Sequence, residues 1–267
     1  MNRRDFAGKV VLISGAAGGL GTALCRRFAA AGARVVALDL DQAALDRLVA
    51  GLGRADAAGV ACDITDEALC RSVIDDIASS FDGIDVLVNN AGIAQRSLLA
   101  HTDPAVMRRV MEVNFFGALH LTHAALPHIL ARRGAIAAIS SVAGYAPLIG
   151  RSGYAASKHA LHGFFDSLRT EVEDAGVSVT LVCPSFIRTG IDAAALGAAG
   201  PRLTSGGEAA PDEIAARIVD AMVASRRLLL PDRTSRLAWW LSRLTPALYA
   251  HTMKRRVGAE FGFKETA

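Results

Sequence analysis

The amino-acid sequence predicts a single-domain α/β protein, in which a doubly wound parallel sheet of seven strands carries helices on both faces. Three observations lead to this prediction. Short apolar runs alternate with amphipathic stretches, and parallel strands that are buried on both faces read as continuous apolar runs. The composition, with 52% hydrophobic and 21% charged residues, is typical of a globular chain. A length of 267 residues without an internal repeat suits one large domain of this class.

Each strand and helix is expected from a local pattern. The strands are expected over residues 10–14, 34–39, 59–62, 86–89, 135–140, 178–182 and 228–230. The helices are expected between them, over residues 20–31, 42–52, 67–81, 104–130, 153–175 and 211–224. Two segments, Thr65-Asp66-Glu67 and Thr102-Asp103-Pro104, have the residues that are typical of helix starts. Helices between parallel strands form right-handed crossovers.

Cysteine spacing and charge exclude several classes of protein. The four cysteines are far apart and form no Cys-x-x-Cys pair, a spacing that suits a reducing compartment and predicts no metal site. No run of 18 uncharged apolar residues occurs, so we expect no transmembrane helix. The N-terminus is interpreted as the first strand and not as a signal peptide. A net charge of +3 gives no indication of a nucleic-acid partner, and we expect a cytoplasmic protein.

A glycine-rich turn joins the first strand to the first helix and reads Ser14-Gly15-Ala16-Ala17-Gly18-Gly19-Leu20-Gly21. Glycines let a pyrophosphate approach a helix N-terminus, where free amides favour negative charge. An isolated match of this kind could equally be an ordinary turn, but Asp39 at the end of the second strand favours a dinucleotide site. A carboxylate there accepts hydrogen bonds from ribose hydroxyls and repels a 2′-phosphate. The sequence therefore predicts NAD as the cofactor, with NADP as the alternative.

A tyrosine and a lysine one helical turn apart, Tyr154 and Lys158, indicate acid–base chemistry. A cation beside a phenol lowers the pKa of that phenol and makes tyrosinate a usable base. Alone the pair is a weak signal. Ser141, just after the fifth strand, and Asn114, in the preceding long helix, strengthen it. Ser140 is not expected to be the catalytic serine, because neighbouring side chains on a strand point to opposite faces.

With Asn89-Asn90-Ala91-Gly92 after the fourth strand, these motifs resemble the short-chain dehydrogenase/reductase family in its shorter form, over residues 7–231. The resemblance implies a Rossmann-like sheet of strand order 3-2-1-4-5-6-7. It also implies reversible hydride transfer between a nicotinamide cofactor and a secondary alcohol or ketone. In that family pattern Tyr154 is the general acid/base, Lys158 holds the nicotinamide ribose, Ser141 orients the substrate oxygen and Asn114 anchors a water.

The resemblance also implies a set of cofactor contacts, with the glycines on the pyrophosphate, Asp63 at the adenine and Thr189 at the carboxamide. The set is Ser14, Gly15, Gly19, Leu20, Gly21, Asp39, Asp63, Ile64, Asn90, Ala91, Gly92, Tyr154, Lys158, Pro184, Ser185 and Thr189. Ser185 departs from the family pattern, which usually has glycine after this proline. We expect its side chain to narrow or polarise the pocket near the nicotinamide, with impaired cofactor binding as the alternative.

The substrate pocket is expected to involve Ser141, Tyr145, Leu148 and Ser185, with Ala94 and Gln95 in its wall. The apolar residues 145–149 and an Ala/Gly-rich stretch over 192–210, expected to be a mobile lid, favour a lipophilic alcohol or ketone, steroid-like or long-chain. Two alternatives stay open. One is an NADP-dependent carbonyl reductase, and the other is a dinucleotide-binding sensor or scaffold without turnover.

Residues 232–267 are expected to form a basic extension to a catalytic domain of residues 1–231. Residues 226–256 carry a net +7, so the rest of the chain is acidic. Thr234 is expected to cap a helix and Thr245-Pro246 to start a second one. Apolar residues fall on one face, namely Leu237, Trp240, Leu241, Leu244 and Leu248.

Two interpretations of this face remain. It could cover the substrate entrance or a neighbouring subunit. It could instead contact an anionic membrane peripherally, with Trp239 and Trp240 at the headgroups. Residues 104–130 and 153–175 resemble the helices that pair across two-fold axes in the family, and Leu161, Phe164, Phe165 and Leu168 recur there at helical spacing. We therefore expect a homodimer or homotetramer.

Overall fold

Parallel strands form a seven-stranded sheet in the computed structural model, which describes residues 3–191, 195–197 and 208–261. The strands are β1 (Val10–Ser14), β2 (Arg34–Asp39), β3 (Ala58–Ala61), β4 (Val86–Asn89), β5 (Ala135–Ile139), β6 (Ser178–Val182) and β7 (Leu228–Leu229). Their order across the sheet is β3-β2-β1-β4-β5-β6-β7. The predicted fold class and strand order are therefore confirmed. The order reverses between β1 and β4, and open sheets of this kind bind ligands at the carboxyl ends of strands beside such a reversal.

Helices pack on both faces of the sheet. They are α1 (Gly19–Ala30), α2 (Gln42–Leu52), α3 (Glu67–Phe81), α4 (Pro104–Met111), α5 (Gly117–Ala131), α6 (Ser152–Val172), α7 (Pro211–Val223), α8 (Arg233–Leu244) and α9 (Pro246–Val257). Asp66 and Asp103 cap α3 and α4 through their side chains, so the capping side chain follows the threonine that the sequence pattern singled out. An aspartate accepts a backbone N–H of the first helical turn well.

Alternate residues of the strands supply two separate cores. Val11 and Ile13 of β1 pack with the buried side chains of α1 and α7 on one face. Val10 and Leu12 pack with α3, α5 and α6 on the other. Each core lies between the sheet and one helical layer, as the period of two along a strand requires. In α6, Leu161, Phe165 and Leu168 belong to this second core, so these three residues face the sheet and not a partner subunit.

The predicted long helix over residues 104–130 is divided in the structure. A π-helical turn, Glu112–Phe116, connects α4 to α5. A π-turn holds one more residue than an α-turn and therefore changes the direction in which its side chains point; such turns are frequent at functional sites. Asn114 lies in the middle of this turn.

The C-terminal extension forms two helices that meet at Thr245-Pro246, as predicted. Asp232 caps α8, not Thr234, because its carboxylate accepts the Ser235 N–H while Ser235 Oγ bonds back to the Asp232 backbone. Tyr249 of α9 is buried against Val142 and Ala146, which belong to the part of the chain before residue 232, here called the body. The described end of the chain returns to the body, where Arg96 and Glu260 form an ion pair at 2.6 Å with both side chains buried.

The outer face of this extension is exposed. Leu237, Trp240, Leu244 and Leu248, here called the exposed stripe, are each more than half accessible. Of the five residues expected on the apolar face, Leu241 is partly buried against the described part of this chain. The other four do not pack on it. Of the two tryptophans, Trp239 packs on the Tyr145 ring at 4.9 Å and so does not share the exposed stripe with Trp240.

Among the described residues, no helix has both the length and the apolar character needed to cross a lipid bilayer. The expected lid over residues 192–210 lies largely outside the described residues. Within 195–197, Leu196 exchanges main-chain hydrogen bonds with Ala94 and Arg96.

Candidate active site

A cleft of about 800 Å³ opens at the carboxyl ends of the strands, where β1, β2, β4, β5 and β6 end. Most of the predicted site residues line it. They are Gly15, Gly19, Leu20, Gly21, Asp39, Asp63, Ile64, Asn90, Ala91, Gly92, Ser141, Leu148, Tyr154, Lys158, Pro184, Ser185 and Thr189. Ser14, Asn114 and Tyr145 are absent from the described lining. The sheet thus brings together motifs that are up to 174 residues apart, Gly15 and Thr189 being the outermost.

The glycine-rich turn lies close against the segment after β4. Gly15 has a φ of +64°, and a Cβ there would lie 2.7 Å from the Ala91 Cα. A Cβ on Gly21 would lie 2.7 Å from the Ala16 Cα. These contacts leave no room for side chains. The first residues of α1, Gly19, Leu20 and Gly21, line the cleft, and the first N–H groups of a helix have no partner within it. The glycine-rich turn and the segment after β4, together called the cradle here, fit the pyrophosphate of a dinucleotide.

Ser14 acts behind this turn and not in the cleft. Its hydroxyl accepts the backbone N–H groups of Asn90 and Ala91 at 3.1 and 3.2 Å. The Asn90 side chain donates to the carbonyls of Ser14 and Gly15. The expectation that Ser14 contacts the cofactor is corrected: its hydroxyl is turned toward the β4 segment, where it joins the two walls of the cradle.

Two carboxylates line the end of the cleft near β2 and β3. Asp39 accepts the Ala17 N–H at 2.9 Å and the Leu40 N–H at 2.8 Å, so it fixes the glycine-rich turn as well as presenting a negative charge. Asp63 accepts the N–H and the hydroxyl of Thr65. These hydrogen bonds hold the pKa of Asp63 below its usual range.

Tyr154 and Lys158 lie in the first two turns of α6, with Lys158 Nζ 5.7 Å from the centroid of the Tyr154 ring. The ammonium is fully buried and donates to the Ile139 carbonyl at 2.8 Å. Burial lowers the pKa of Lys158 to about 8. The group is therefore cationic at neutral pH but close to the point at which it would lose its proton.

The two serines at the end of β5 have different partners. Ser141 lines the cleft, and its Oγ accepts the Ala143 N–H at 3.2 Å. Ser140 Oγ donates to the Lys158 carbonyl and lies 3.0 Å from His162 Nε2. Ser140 also borders the cleft, but its hydroxyl is occupied beneath α6. Ser141 is the serine whose hydroxyl can meet a substrate oxygen.

Asn114 lies behind the cleft and supports its wall. Its side chain accepts the Ile93 N–H at 2.8 Å and donates to the Ile93 carbonyl and to Ser157 Oγ. A Cβ on Gly92 would lie 3.2 Å from Asn114 Oδ1 and 3.4 Å from Lys158 Nζ. Asn114 and Lys158 therefore converge on the same backbone segment, and a side chain at position 92 would press against both of them. The water-anchoring role of Asn114 stays a prediction.

Gln95 has a role that the sequence did not indicate. Gln95 is fully buried, so the expectation that it lines the pocket is wrong. Its Oε1 accepts the Gly153 N–H at 3.1 Å, at the first turn of α6. The N-cap residue Arg151 makes no side-chain cap, so Gln95 satisfies the start of the helix that carries Tyr154. In the sequence, the one available signal for this contact was that no typical capping residue stands before residue 152.

Tyr145 and Ser185 are both held by the C-terminal extension. The Tyr145 hydroxyl donates to the Ser235 carbonyl at 2.6 Å. This contact corrects the expectation that Tyr145 lines the substrate pocket, because the ring packs beneath α8. Ser185 does line the cleft, but its Oγ donates to Asp232 Oδ1 at 2.7 Å. Among the described residues, no group of three His, Cys, Asp or Glu side chains could hold a metal.

Comparison with known sequences identifies relatives over nearly the whole chain. A family model described as short chain dehydrogenase matches residues 9–197. Dehydrogenase/reductase SDR family member 7B of Bos taurus is 38% identical over 266 residues, which cover 94% of this chain and 82% of that protein. Dehydrogenase/reductase SDR family protein 7-like of Anopheles gambiae is 37% identical over 270 residues, covering 96% and 85%.

Solved structures show the same fold. A short-chain dehydrogenase from Streptomyces avermitilis superposes with a TM-score of 0.82 at 28% identity, covering 96% of this chain and 100% of that one. A short-chain dehydrogenase/reductase from Burkholderia phymatum, solved in complex with NAD, has a TM-score of 0.79 at 27% identity, covering 99% and 98%. The family match, the close relatives and the shared fold agree with the motifs in the cleft, and the chain therefore belongs to the short-chain dehydrogenase/reductase family, whose members are oxidoreductases that use a nicotinamide cofactor.

Proposed function

We propose that this enzyme transfers a hydride reversibly between NAD and a secondary alcohol or ketone of lipophilic character. The observation that carries the proposal is the shared cleft, which Tyr154, Lys158 and Ser141 line together with the glycine-rich turn. A non-catalytic sensor would not need these three groups beside a dinucleotide cradle. Turnover of any secondary alcohol that disappears in Tyr154→Phe tests the proposal, and a full panel of alcohols and ketones without turnover would overturn it.

The residues of the chain handle the proton and the substrate oxygen. The bound nicotinamide supplies or accepts the hydride. Tyr154 takes the hydroxyl proton of an alcohol, or returns it to a ketone oxygen. The buried cation of Lys158 stabilises tyrosinate through its charge. Ser141 donates a hydrogen bond to the same oxygen and fixes its position. Asn114 holds the backbone of Ile93 beside the site and, following the family pattern, anchors a water in the proton relay.

Asp39 supports NAD over NADP. Its carboxylate sits at the end of β2 and is fixed by the Ala17 N–H, so a 2′-phosphate at that place would meet a negative charge held in position. The next residue, Leu40, is exposed and offers no cation. Fluorescence titration with NADH and NADPH tests this: we expect NADH to bind well over tenfold more tightly. Equal affinity for both would refute it and favour a carbonyl reductase that uses NADP.

The cleft lining supports a lipophilic substrate. Ala94, Leu148, Phe186 and Leu196 contribute apolar surface, and apolar walls bind apolar ligands by burying their surface. One charged side chain, that of Arg151, also lines the cleft three residues before Tyr154. A screen of steroid-like, long-chain and short polar alcohols, followed by NADH absorbance, tests the class. A preference for sugars or small acids would contradict it.

A reducing, cytoplasmic location and a homo-oligomer complete the proposal. All four cysteines are free and buried, which suits a chain that folds without disulfides. A dimer or tetramer is supported by the family resemblance of the α4–α5 and α6 regions, where Phe116 is 38% exposed. Light scattering at micromolar concentration tests the assembly, and a monomer alone would refute it.

The exposed stripe supports a peripheral contact with an anionic membrane. Leu237, Trp240 and Leu244 lie three and four residues apart on α8 and share one side; the buried Ser235 and Ala238 lie on the other. The stretch 226–256 carries +7. Such a helix binds anionic lipid by burying its apolar face and by charge attraction. A second copy would place two basic surfaces together, so the bilayer is the favoured occupant. A lipophilic substrate would be dissolved in the same bilayer.

Co-sedimentation with vesicles tests this contact. The full chain should bind phosphatidylserine-containing vesicles at low salt, bind neutral vesicles weakly and dissociate as salt rises. The variant L237A/W240A/L244A should lose binding, whereas Leu99→Ala, which removes another exposed leucine, should retain it. No binding at low salt would refute the contact. Self-association that the triple variant abolishes would assign the stripe to a subunit interface instead.

A further inference from the structure

The carboxylate of Asp232 joins the C-terminal extension to the wall of the cleft. It accepts three hydrogen bonds: from Ser185 N–H at 3.0 Å, from Ser185 Oγ at 2.7 Å and from Ser235 N–H at 2.7 Å. Two of the donors belong to the segment that follows β6, and the third belongs to the first turn of α8. Hydrogen bonds to an ionised acceptor are among the stronger ones in proteins. Asp232 therefore connects two elements that are 47 residues apart.

The segment fixed by Asp232 lies over the cofactor cradle. Ser185, Ile187 and Thr189 all line the cleft. A Cβ on Gly19 would lie 3.1 Å from the Thr189 Cα, so this segment passes directly above the glycine-rich turn. Its position at the Ser185 end depends on the backbone and side-chain bonds to Asp232. A change in that position would move one wall of the dinucleotide site.

The same turn of α8 also reaches the loop that follows Ser141. Tyr145 ends the 3-10 turn Val142–Gly144 that Ser141 caps, and its hydroxyl donates to the Ser235 carbonyl at 2.6 Å. The first turn of α8 therefore bonds to the loops after both β5 and β6. These two loops carry the substrate-orienting serine and the cofactor wall.

We infer that Asp232 is a positioning residue, which orders the cofactor-binding segment 185–189 through Ser185. This inference rests on the proposed function. It gives a reason for the serine at a position where the family usually has glycine: the residue borders the cleft, and its hydroxyl is a donor to the extension. A glycine at 185 would keep only the backbone bond and would loosen the chain at this point.

A double-mutant cycle tests the inference. Asp232→Ala and Ser185→Ala remove the two ends of the contact, and NADH affinity is measured by fluorescence together with KM and kcat. We expect Asp232→Ala to weaken NADH binding about fivefold to tenfold, and kcat at saturating cofactor to fall less than about threefold. The double variant should bind NADH about as weakly as Asp232→Ala alone, because the effects of two partners in one contact are not additive.

Ser235→Ala is the matched control. It removes the Ser235 hydroxyl, which accepts the Asp232 N–H and donates to the Asp232 carbonyl, and so weakens the cap of α8 while the Asp232–Ser185 contact stays. We expect lower thermal stability and unchanged NADH affinity. Equal losses of affinity in Ser235→Ala and Asp232→Ala, or additive losses in the cycle, would overturn the inference. If Asp232→Ala does not fold, Ser185→Ala with unchanged affinity overturns it. A wild-type chain that binds no NADH would refute the proposed function instead.

Discussion

The substitution Lys158→Met is expected to slow alcohol oxidation by withdrawing the buried one of two cations beside the Tyr154 ring; the other, the Arg151 guanidinium, lies 5.9 Å from the ring centroid and stays. Lys158 Nζ lies 5.7 Å from the centroid of the Tyr154 ring. If this distance is taken as the separation of the ammonium and the phenolate charge, an effective dielectric constant of about 20 gives an interaction of about 3 kcal/mol. That energy corresponds to roughly a 100-fold loss of tyrosinate at neutral pH, and hence to a similar loss of rate.

The sign of the pH dependence follows from the same charge. Burial lowers the pKa of Lys158 to about 8, so the ammonium is present at neutral pH and the attraction operates there. Without it, tyrosinate forms only at higher pH. The rising limb of the pH profile should therefore move up by about 2 pH units, and the deficit of the variant should shrink in alkali.

The assay is kcat for alcohol oxidation at saturating NAD as a function of pH, because saturation separates the proton step from cofactor affinity. Lys9→Met is the control. Lys9 precedes the first residue of β1 and does not line the cleft, and its ammonium pairs with Asp85 at 3.2 Å. Its profile should match that of the wild type. A rising limb that stays in place in Lys158→Met, or a loss that is the same at every pH, would refute the reasoning. Thermal melting checks that the variant is folded.

Three further variants test the remaining parts of the site. Tyr154→Phe should lower turnover by about 10²- to 10⁴-fold with NADH affinity intact, and more than a tenth of the wild-type rate would contradict the assignment. Asp39→Ala with Leu40→Arg should shift the affinity ratio toward NADPH, because a repulsive charge is exchanged for a phosphate partner; an unchanged ratio would count against Asp39. Gly15→Ala places a Cβ 2.7 Å from the Ala91 Cα at a φ of +64°. It should cost about 2–4 kcal/mol of unfolding free energy and weaken NADH binding, and a wild-type melting temperature would contradict this.

Local patterns in the sequence were sufficient for the fold and for much of the cleft. A buried parallel strand has to be apolar along its whole length, so seven short apolar runs predicted the sheet. The glycine-rich turn and the pair Tyr154 and Lys158 are set by spacing within one turn or one helix, and they are recognisable without knowledge of the partners. The carboxyl ends of parallel strands meet at one edge of the sheet, and this brings such motifs into one site.

Tertiary contacts decided the features that the sequence did not reveal. Gln95 caps α6 across 58 residues, and the Tyr145 hydroxyl reaches Ser235 across 90. Ser185 reaches Asp232 across 47, although residue type alone suggested a pocket side chain. A polar side chain can satisfy its hydrogen bonds with any donor or acceptor that folding brings near. Its residue type therefore determines what it can bond to, and only the tertiary structure determines which group is there.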